Sequence, residues 1–359
     1  MDATASATTG AIGGLAQRWP SRAVGRGAGR RQYHQGETES SAGRTRSPDA
    51  GSAHALIGHG ASTGTRRSWL CSWRQRPWSA AHCLWLRHND LRAPRTTDAD
   101  TLFQIGSNTK TFTALAALIL SDRGLIELDA PVQRYCPSFA LPEPADAVAI
   151  TVRMLLNHTA SWDGDVLLTS FAAGGRNEST LADLPAQMRD IAELLTQPGS
   201  VHHYNNTGFA LLGSVLEAAA GKPYEQIIEN EIFRPLGLSN SFFFPEDVLT
   251  RCVAAGHADG KVKDGWLLSR TSLHAGAICC SVRDLLRYGE FWLGDGKPVL
   301  SPAAFAAMQT TTVDTDRSDL YNAECTVGLG WFLSENAGRR VLFHGGETNG
   351  QVSSLAVFP

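Results

Sequence analysis

Between Phe103 and Leu120 the chain carries the run that most narrows what it can fold into. Phe112, Leu115, Ala116 and Ile119 repeat at helical spacing, so a buried helix is expected, opening near Ser107 and running to about residue 121. Its start reads Phe103-Gln104-Ile105-Gly106-Ser107-Asn108-Thr109-Lys110, with serine and lysine three apart. Residues at that spacing lie one above the other on a helix, which sets the Lys110 amine within reach of the Ser107 hydroxyl. A serine hydroxyl is a weak nucleophile at neutral pH until a base takes its proton, and an amine whose pKa is lowered by burial can be that base. The helix N-terminus adds N–H groups and a positive dipole end where an oxyanion would form. The same residues also read as a capping serine beside a solvated lysine, so the pair needs partners elsewhere in the chain.

Composition removes several function classes. A chain of 359 residues accommodates one large domain or two ordinary ones. The net charge of −3 gives no general pull toward nucleic acid or a membrane surface. Charge is uneven, however: residues 1–95 hold fourteen arginines, no lysine and five acids. These arginines are scattered among Gly, Ser, Thr and Ala without helical spacing, so an anion-binding arm is not favoured and no nucleic-acid partner is expected. The seven cysteines make no CxxC pair and no ligand spacing with nearby histidines, so free thiols, no metal and no other cofactor are expected. The chain lacks a secretory signal pattern at its start and any apolar run near the roughly 18 residues of a membrane span. On that pattern the default compartment is the cytoplasm.

The chain falls into two parts of different character. Residues 1–66 are rich in Gly, Ala, Ser, Thr and Arg and show no sustained period, which reads as low complexity without regular structure. Within them Gly60-Ala61-Ser62-Thr63-Gly64 matches a G-x-S-x-G elbow, which demands a strand before and a helix after, but Thr65-Arg66-Arg67-Ser68 promises neither helix nor core, so it reads as a decoy. Residues 67–95 crowd Trp69, Trp73, Trp78 and Trp85 among arginines without alternation. The abrupt change near Thr96 suggests that residues 1–95 are an anomalous lead-in, as a shifted reading frame would produce. Residues 96–359 read as one enzyme domain with a helical insertion at about 122–275. Helices are expected at 182–196, 207–220, 223–233 and from Ser281 to about Leu293, with shorter ones after Thr151 and Ser301. Strands are expected at Val327–Leu333, Arg340–Phe343 and Gln351–Phe358. A helix-rich middle and strand-rich end give an α+β class.

Two clusters can complete a site with Ser107 and Lys110. In His203-Tyr204-Asn205-Asn206-Thr207, a phenol near an ammonium can act as a general base, and the Asn206 amide can donate and accept hydrogen bonds. Read blandly, Asn206 or Thr207 caps the following helix and Tyr204 packs beneath the loop. In His344-Gly345-Gly346, the glycines permit close approach of another backbone, or simply make a turn.

Taken together, Ser-x-x-Lys at a helix start, Tyr-x-Asn about a hundred residues on, and a His-x-Gly strand near the end resemble the serine β-lactamase and penicillin-binding protein superfamily. The nearer likeness is to its class C-like branch of esterases and D-aminopeptidases, with Leu155-Leu156-Asn157-His158-Thr159, Pro198-Gly199-Ser200 and Phe233-Arg234-Pro235-Leu236-Gly237-Leu238 in support. The resemblance runs from about residue 97 to the end. It implies a β-lactamase/transpeptidase-like fold, an antiparallel sheet flanked by helices. It implies Ser107 as the acylated nucleophile, Lys110 and Tyr204 sharing the base role, and Asn206 orienting Lys110 and substrate. His344, Gly345 and Gly346 would line the cleft, with the N–H groups of Ser107 and Glu347 as the oxyanion hole. The substrate would be a small ester, amide or peptide. β-Lactamases of this branch carry Lys-Thr-Gly where this chain has His344-Gly345-Gly346; a histidine near its ordinary pKa is only partly charged, which favours ester or D-amino-acid amide hydrolysis. The alternatives are a penicillin-binding D-alanyl carboxypeptidase or β-lactamase, and an inactive pseudoenzyme. The two strands that the family places before the nucleophile helix are not visible in residues 67–95, and the family's last strand and helix would follow Pro359, so the domain is expected to be incomplete at both ends.

Overall fold

The computed structural model describes residues 52–59, 71–74, 97–163, 180–258, 261–263, 265–266, 272–318, 324–336 and 338–359. The G-x-S-x-G match at 60–64 lies outside the described residues. Strands, in chain order, are β1 Ser52–His59, β2 Cys71–Arg74, β3 Leu102–Gln104, β4 Ser241–Phe242, β5 His257–Ala258, β6 Lys261–Val262, β7 Cys279–Ser281, β8 Val313–Ser318, β9 Glu324–Val327, β10 Phe332–Asn336, β11 Arg339–Glu347 and β12 Gln351–Phe358. Seven of them form one antiparallel sheet in the order β2-β1-β12-β11-β10-β9-β8. A second, small sheet has the order β3-β7-β4.

The helix expected at the nucleophile motif is α1, Thr109–Asp122, and it follows a single 3-10 turn at Gly106–Asn108. Thr109 through Leu120 are all buried, so this is a central helix and not a surface one. Phe112 stacks on Tyr288 with ring centroids 3.7 Å apart. Gly124, at φ +74°, follows the helix end as a left-handed C-terminal residue. Further along lie α2 Val152–Leu156, α3 Thr180–Ile191, α4 Asn206–Ala220, α5 Leu273–Gly276, α6 Val282–Phe291 and α7 Pro302–Met308. Thr151, Ser281 and Ser301 cap α2, α6 and α7 through their side-chain oxygens, as serine and threonine before an apolar run do. α6 packs against β1, while the 3-10 turn packs against β11 and β12.

Three expectations are corrected. The two strands that precede the nucleophile helix exist, the first upstream of residues 67–95 and the second within them. β1 pairs with β12 from Ser52 opposite Phe358 to His59 opposite Gln351, and β2 pairs with β1. Ser-Ala-His-Ala-Leu-Ile-Gly-His carries little strand signal of its own, and its long partner β12 supplies the hydrogen bonds. The expected strand Val327–Leu333 is instead the end of β9, a turn and the start of β10. Apolar Val327, Leu329, Trp331 and Leu333 alternate as in a strand, but Gly330 takes φ +81° and its N–H bonds Leu156 O at 3.0 Å. The α4 helix is capped by Asn205, whose Oδ1 accepts from Gly208 N at 2.6 Å, and not by Asn206 or Thr207.

Candidate active site

Ser107 is half-buried in the 3-10 turn, and Lys110 lies in the first turn of α1. Three hydrogen bonds from β12 fix the backbone that carries them. Gln351 Oε1 accepts from Gln104 N at 3.0 Å, Ser353 Oγ donates to Ile105 O at 2.6 Å, and Asn108 Nδ2 donates to Ser353 Oγ at 2.7 Å.

The Lys110 side chain is fully buried. Its Nζ donates to Ser107 Oγ at 3.0 Å and to the carbonyl of Ala275, on α5, at 2.8 Å. The same Nζ stands 4.9 Å from the Tyr204 ring centroid and 5.7 Å from that of Phe209. α5 is itself tied to α1, since Thr113 Oγ1 donates to His274 O at 2.6 Å. A lysine held by these contacts and walled by aromatic rings has its amine directed at the Ser107 hydroxyl, which is the geometry proton transfer requires.

Tyr204 arrives on the turn that leads into α4 and Asn206 is the first residue of that helix, both half-buried. That turn rests on His158, which follows α2 in a left-handed conformation at φ +61°. His158 O accepts from His203 N at 2.7 Å, and its ring Nδ1 accepts from Asn205 N at 2.9 Å. The Tyr204 ring stacks on the His158 ring, centroids 4.6 Å apart.

The third segment is the end of β11, which continues past Phe343 through His344 to Glu347. Gly346 lies so close to the nucleophile turn that a Cβ there would stand 1.9 Å from Ile105 O and 2.8 Å from Ser107 N. A Cβ on Gly106, at φ +52°, would stand 2.5 Å from Glu347 N. Only glycine fits either position. Thr348 N donates to Gln351 O at 2.9 Å, so the alternation of an antiparallel ladder leaves Glu347, opposite Val352, with its N–H turned away from β12. Ser107 and Glu347 backbone nitrogens therefore lie on the two sides of one close contact.

His344 differs from the partly charged histidine expected. The side chain is only 2% exposed and sits against Phe332 and Tyr204, with ring centroids 5.3 Å and 6.2 Å away. Nδ1 lies 2.6 Å from Gly345 O, which can only accept, so the proton sits on Nδ1. Nε2 is buried with no hydrogen-bond partner among the described residues. Burial, together with the nearby Lys110 charge, pushes the His344 pKa down to about 3. The imidazole is therefore neutral, and the strand edge is open at Gly345 instead.

The structure thus gathers Ser107, Lys110, Tyr204 and His344, sets Gly346 and Glu347 against the nucleophile turn, and leaves Gly345 exposed. Reading the sequence missed Ala275, Asn205 and His158. Asn205 had a signal, as an asparagine directly before a helical run; Ala275 contributes only a carbonyl and had none. Among the described residues no group of three or more His, Cys, Asp or Glu side chains is arranged to hold a metal ion. No helix among them is long and apolar enough to cross a membrane. Cys136, Cys252, Cys279, Cys280 and Cys325 are free thiols.

The family model for Beta-lactamase matches residues 73–359 of this chain. The chain is similar to Penicillin-binding protein 4 of Amycolatopsis lactamdurans, 31% identical over 272 residues that cover 72% of this chain and 70% of that protein. It is similar also to a D-alanyl-D-alanine-carboxypeptidase/endopeptidase of Escherichia coli (strain K12), 26% identical over 274 residues, covering 72% of this chain and 68% of that one. Against several other curated relatives it spans 50% to 62% of their length. In fold it resembles a D-stereospecific amidohydrolase from Streptomyces sp., with a TM-score of 0.58 at 24% identity, over 86% of this chain and 89% of that one. On the match across residues 73–359, and with a relative 31% identical over most of both chains, this chain belongs to the serine β-lactamase and penicillin-binding protein superfamily, a family of serine hydrolases.

Proposed function

We propose that this chain cleaves an ester or a small amide, such as a D-amino-acid amide, through an acyl-enzyme on Ser107. The observation that carries the reading is the buried Lys110 amine, 3.0 Å from the Ser107 hydroxyl and 4.9 Å from the Tyr204 ring. In this reading Lys110 and Tyr204 act as one coupled base. They take the proton as Ser107 Oγ attacks the substrate carbonyl. The resulting oxyanion is held by the N–H groups of Ser107 and Glu347. Collapse of the tetrahedral intermediate breaks the ester or amide bond, and the pair returns the proton to the departing alcohol or amine. Water, deprotonated by the same pair, then attacks the acyl-Ser107 ester, and collapse breaks the C–Oγ bond, frees the acid and returns the proton from the pair to Ser107 Oγ. Asn206 orients Lys110 and the substrate, Gly345 gives the substrate's backbone room along the strand, and Gly346 lets that strand lie against the nucleophile turn, with His344 behind it. The neutral His344 supports an ester or amide without a carboxylate over a substrate that must be gripped by its carboxylate.

The test is labelling with a serine-directed fluorophosphonate, read by intact mass and peptide mapping. One adduct on Ser107, absent in Ser107→Ala and much slowed in Lys110→Ala, is expected. Folded protein that takes no adduct would end the reading. A second reading, a penicillin-binding carboxypeptidase, has the similarity to the Amycolatopsis protein in its favour. Covalent capture of penicillin at Ser107 with slow release, without turnover of esters or D-amino-acid amides, would select it.

A further inference from the structure

We propose that His158 is the positioning residue for Tyr204, holding the phenol at the Lys110–Ser107 pair through a neutral ring. The inference rests on the acyl-Ser107 reading and adds a residue to its machinery. Three contacts converge on this one side chain and its backbone. His158 O takes the N–H of the residue before Tyr204, at 2.7 Å. Its Nδ1 takes the N–H of the residue after Tyr204, at 2.9 Å. The ring face lies on the Tyr204 ring itself, 4.6 Å away and inclined by 29°. An Nδ1 that accepts a backbone N–H must carry a lone pair, so the proton is on Nε2, the opposite tautomer to His344. His158 is 2% exposed and left-handed at φ +61°, a conformation that costs a residue with a Cβ energy and that surrounding contacts must maintain. Packing alone would be met by any apolar residue in relaxed backbone. Here the strained residue supplies both acceptors that flank the tyrosine.

The experiment measures the rate of fluorophosphonate labelling of Ser107, and kcat and KM on an activated ester, in a set of variants. His158→Gly relaxes the backbone and removes the ring acceptor. His158→Asn keeps an acceptor near the position of Nδ1 and tolerates the left-handed backbone. His158→Gly is expected to lower labelling and kcat by about 10- to 100-fold, the scale of an ångström's misplacement, with KM changed less than about twofold. His158→Asn is expected to recover most of the loss. In a Tyr204→Phe background, His158→Gly is expected to add nothing, because both changes remove the same group. Melting curves and circular dichroism establish that each variant is folded, and His158→Gln replaces His158→Gly with the same expectation should the glycine variant not fold. Wild-type rates in His158→Gly, an asparagine variant no better than the glycine one, or additive losses with Tyr204→Phe would each overturn the role of His158. A folded wild-type chain that is not labelled overturns the hydrolase reading itself, which separates the two failures.

Discussion

The two sides of the candidate site are held in place by different physics. On the helical side, Ser107 and Lys110 are three residues apart in one continuous turn, so their 3.0 Å contact follows from local geometry once α1 forms. On the strand side, Gly346 and Glu347 reach the same turn only because β11 is paired with β12 in the right register, and β12 in turn grips Gln104, Ile105 and Asn108. A one-residue slip of β11 would turn every side chain on it to the other face. The helical half is therefore a short-range property, and the strand half depends on contacts about 240 residues distant, as the Gln104–Gln351 separation of 247 illustrates. Chemistry that depends on the first half alone should survive damage to the second, and the reverse should not hold.

Substitutions can separate the halves. The largest effect is expected from Ser107→Ala, with ester turnover down on the order of 10⁴-fold or more and a nearly unchanged melting temperature. Lys110→Ala, in the same half, is expected to cost about 10²- to 10⁴-fold, as loss of a general base does. In the strand half, Gly346→Ala forces a methyl against Ile105 O and Ser107 N, so both turnover and stability are expected to fall, the latter by about 1–3 kcal/mol in denaturant titration. Gly345→Ala is the matched control, because among the described residues a methyl there meets only Ser353 O, at 3.9 Å, and should change stability little. Equal effects of the two would refute the close contact between strand and turn.

His344 gives a titration that distinguishes the halves again. Its folded pKa of about 3 lies below its ordinary 6.5, so the unfolded chain binds the proton more readily between those values. The neutral buried form is fully favoured above about pH 6.5, and this stability is lost as pH falls toward 3, on the order of a few kcal/mol. His344→Gln should flatten that portion of the stability profile in unfolding curves taken from pH 7 to pH 4, leaving the Ser107–Lys110 contact in place. The smallest effect is expected from Asn205→Ala, about 1 kcal/mol for the lost cap of α4, read as a shift in the denaturant midpoint.

How much of this was legible in the amino-acid sequence follows the same division. The apolar period from Phe112 to Ile119 marked α1, and Thr151, Ser281 and Ser301 marked helix starts, because those signals are complete within a few residues. Ser107, Lys110, Tyr204 and His344 could be named from motif order, and the structure gathers them. The neutrality of His344 could not be read, since it comes from burial against Phe332 and Tyr204. His158 stood in the Leu155–Thr159 run that supported the family likeness, but its role could not be read there, since it needs α2 and the α4 turn to meet. β1 was hidden because Ala, Gly and His residues form a strand there only beside β12. The alternation from Val327 to Leu333 misled for the converse reason, as a turn at Gly330 that docks near α1 mimics a strand's period.

The pairing of β1 with β12 also sets a clock for synthesis. Ser52 waits for Phe358, 306 residues later in the chain. At roughly 5–20 residues per second of translation, β1 spends on the order of 15–60 seconds outside the ribosome before its long neighbour exists. Closing so large a loop is also slow in refolding, where distant strands must find each other before their contacts repay the lost entropy. During that interval the only strand beside β1 among the described residues is the four-residue β2, and the other edge of β1 stands open to any strand that comes near. Yield in cells should therefore respond to chaperone supply and growth temperature more than to substitutions around Ser107.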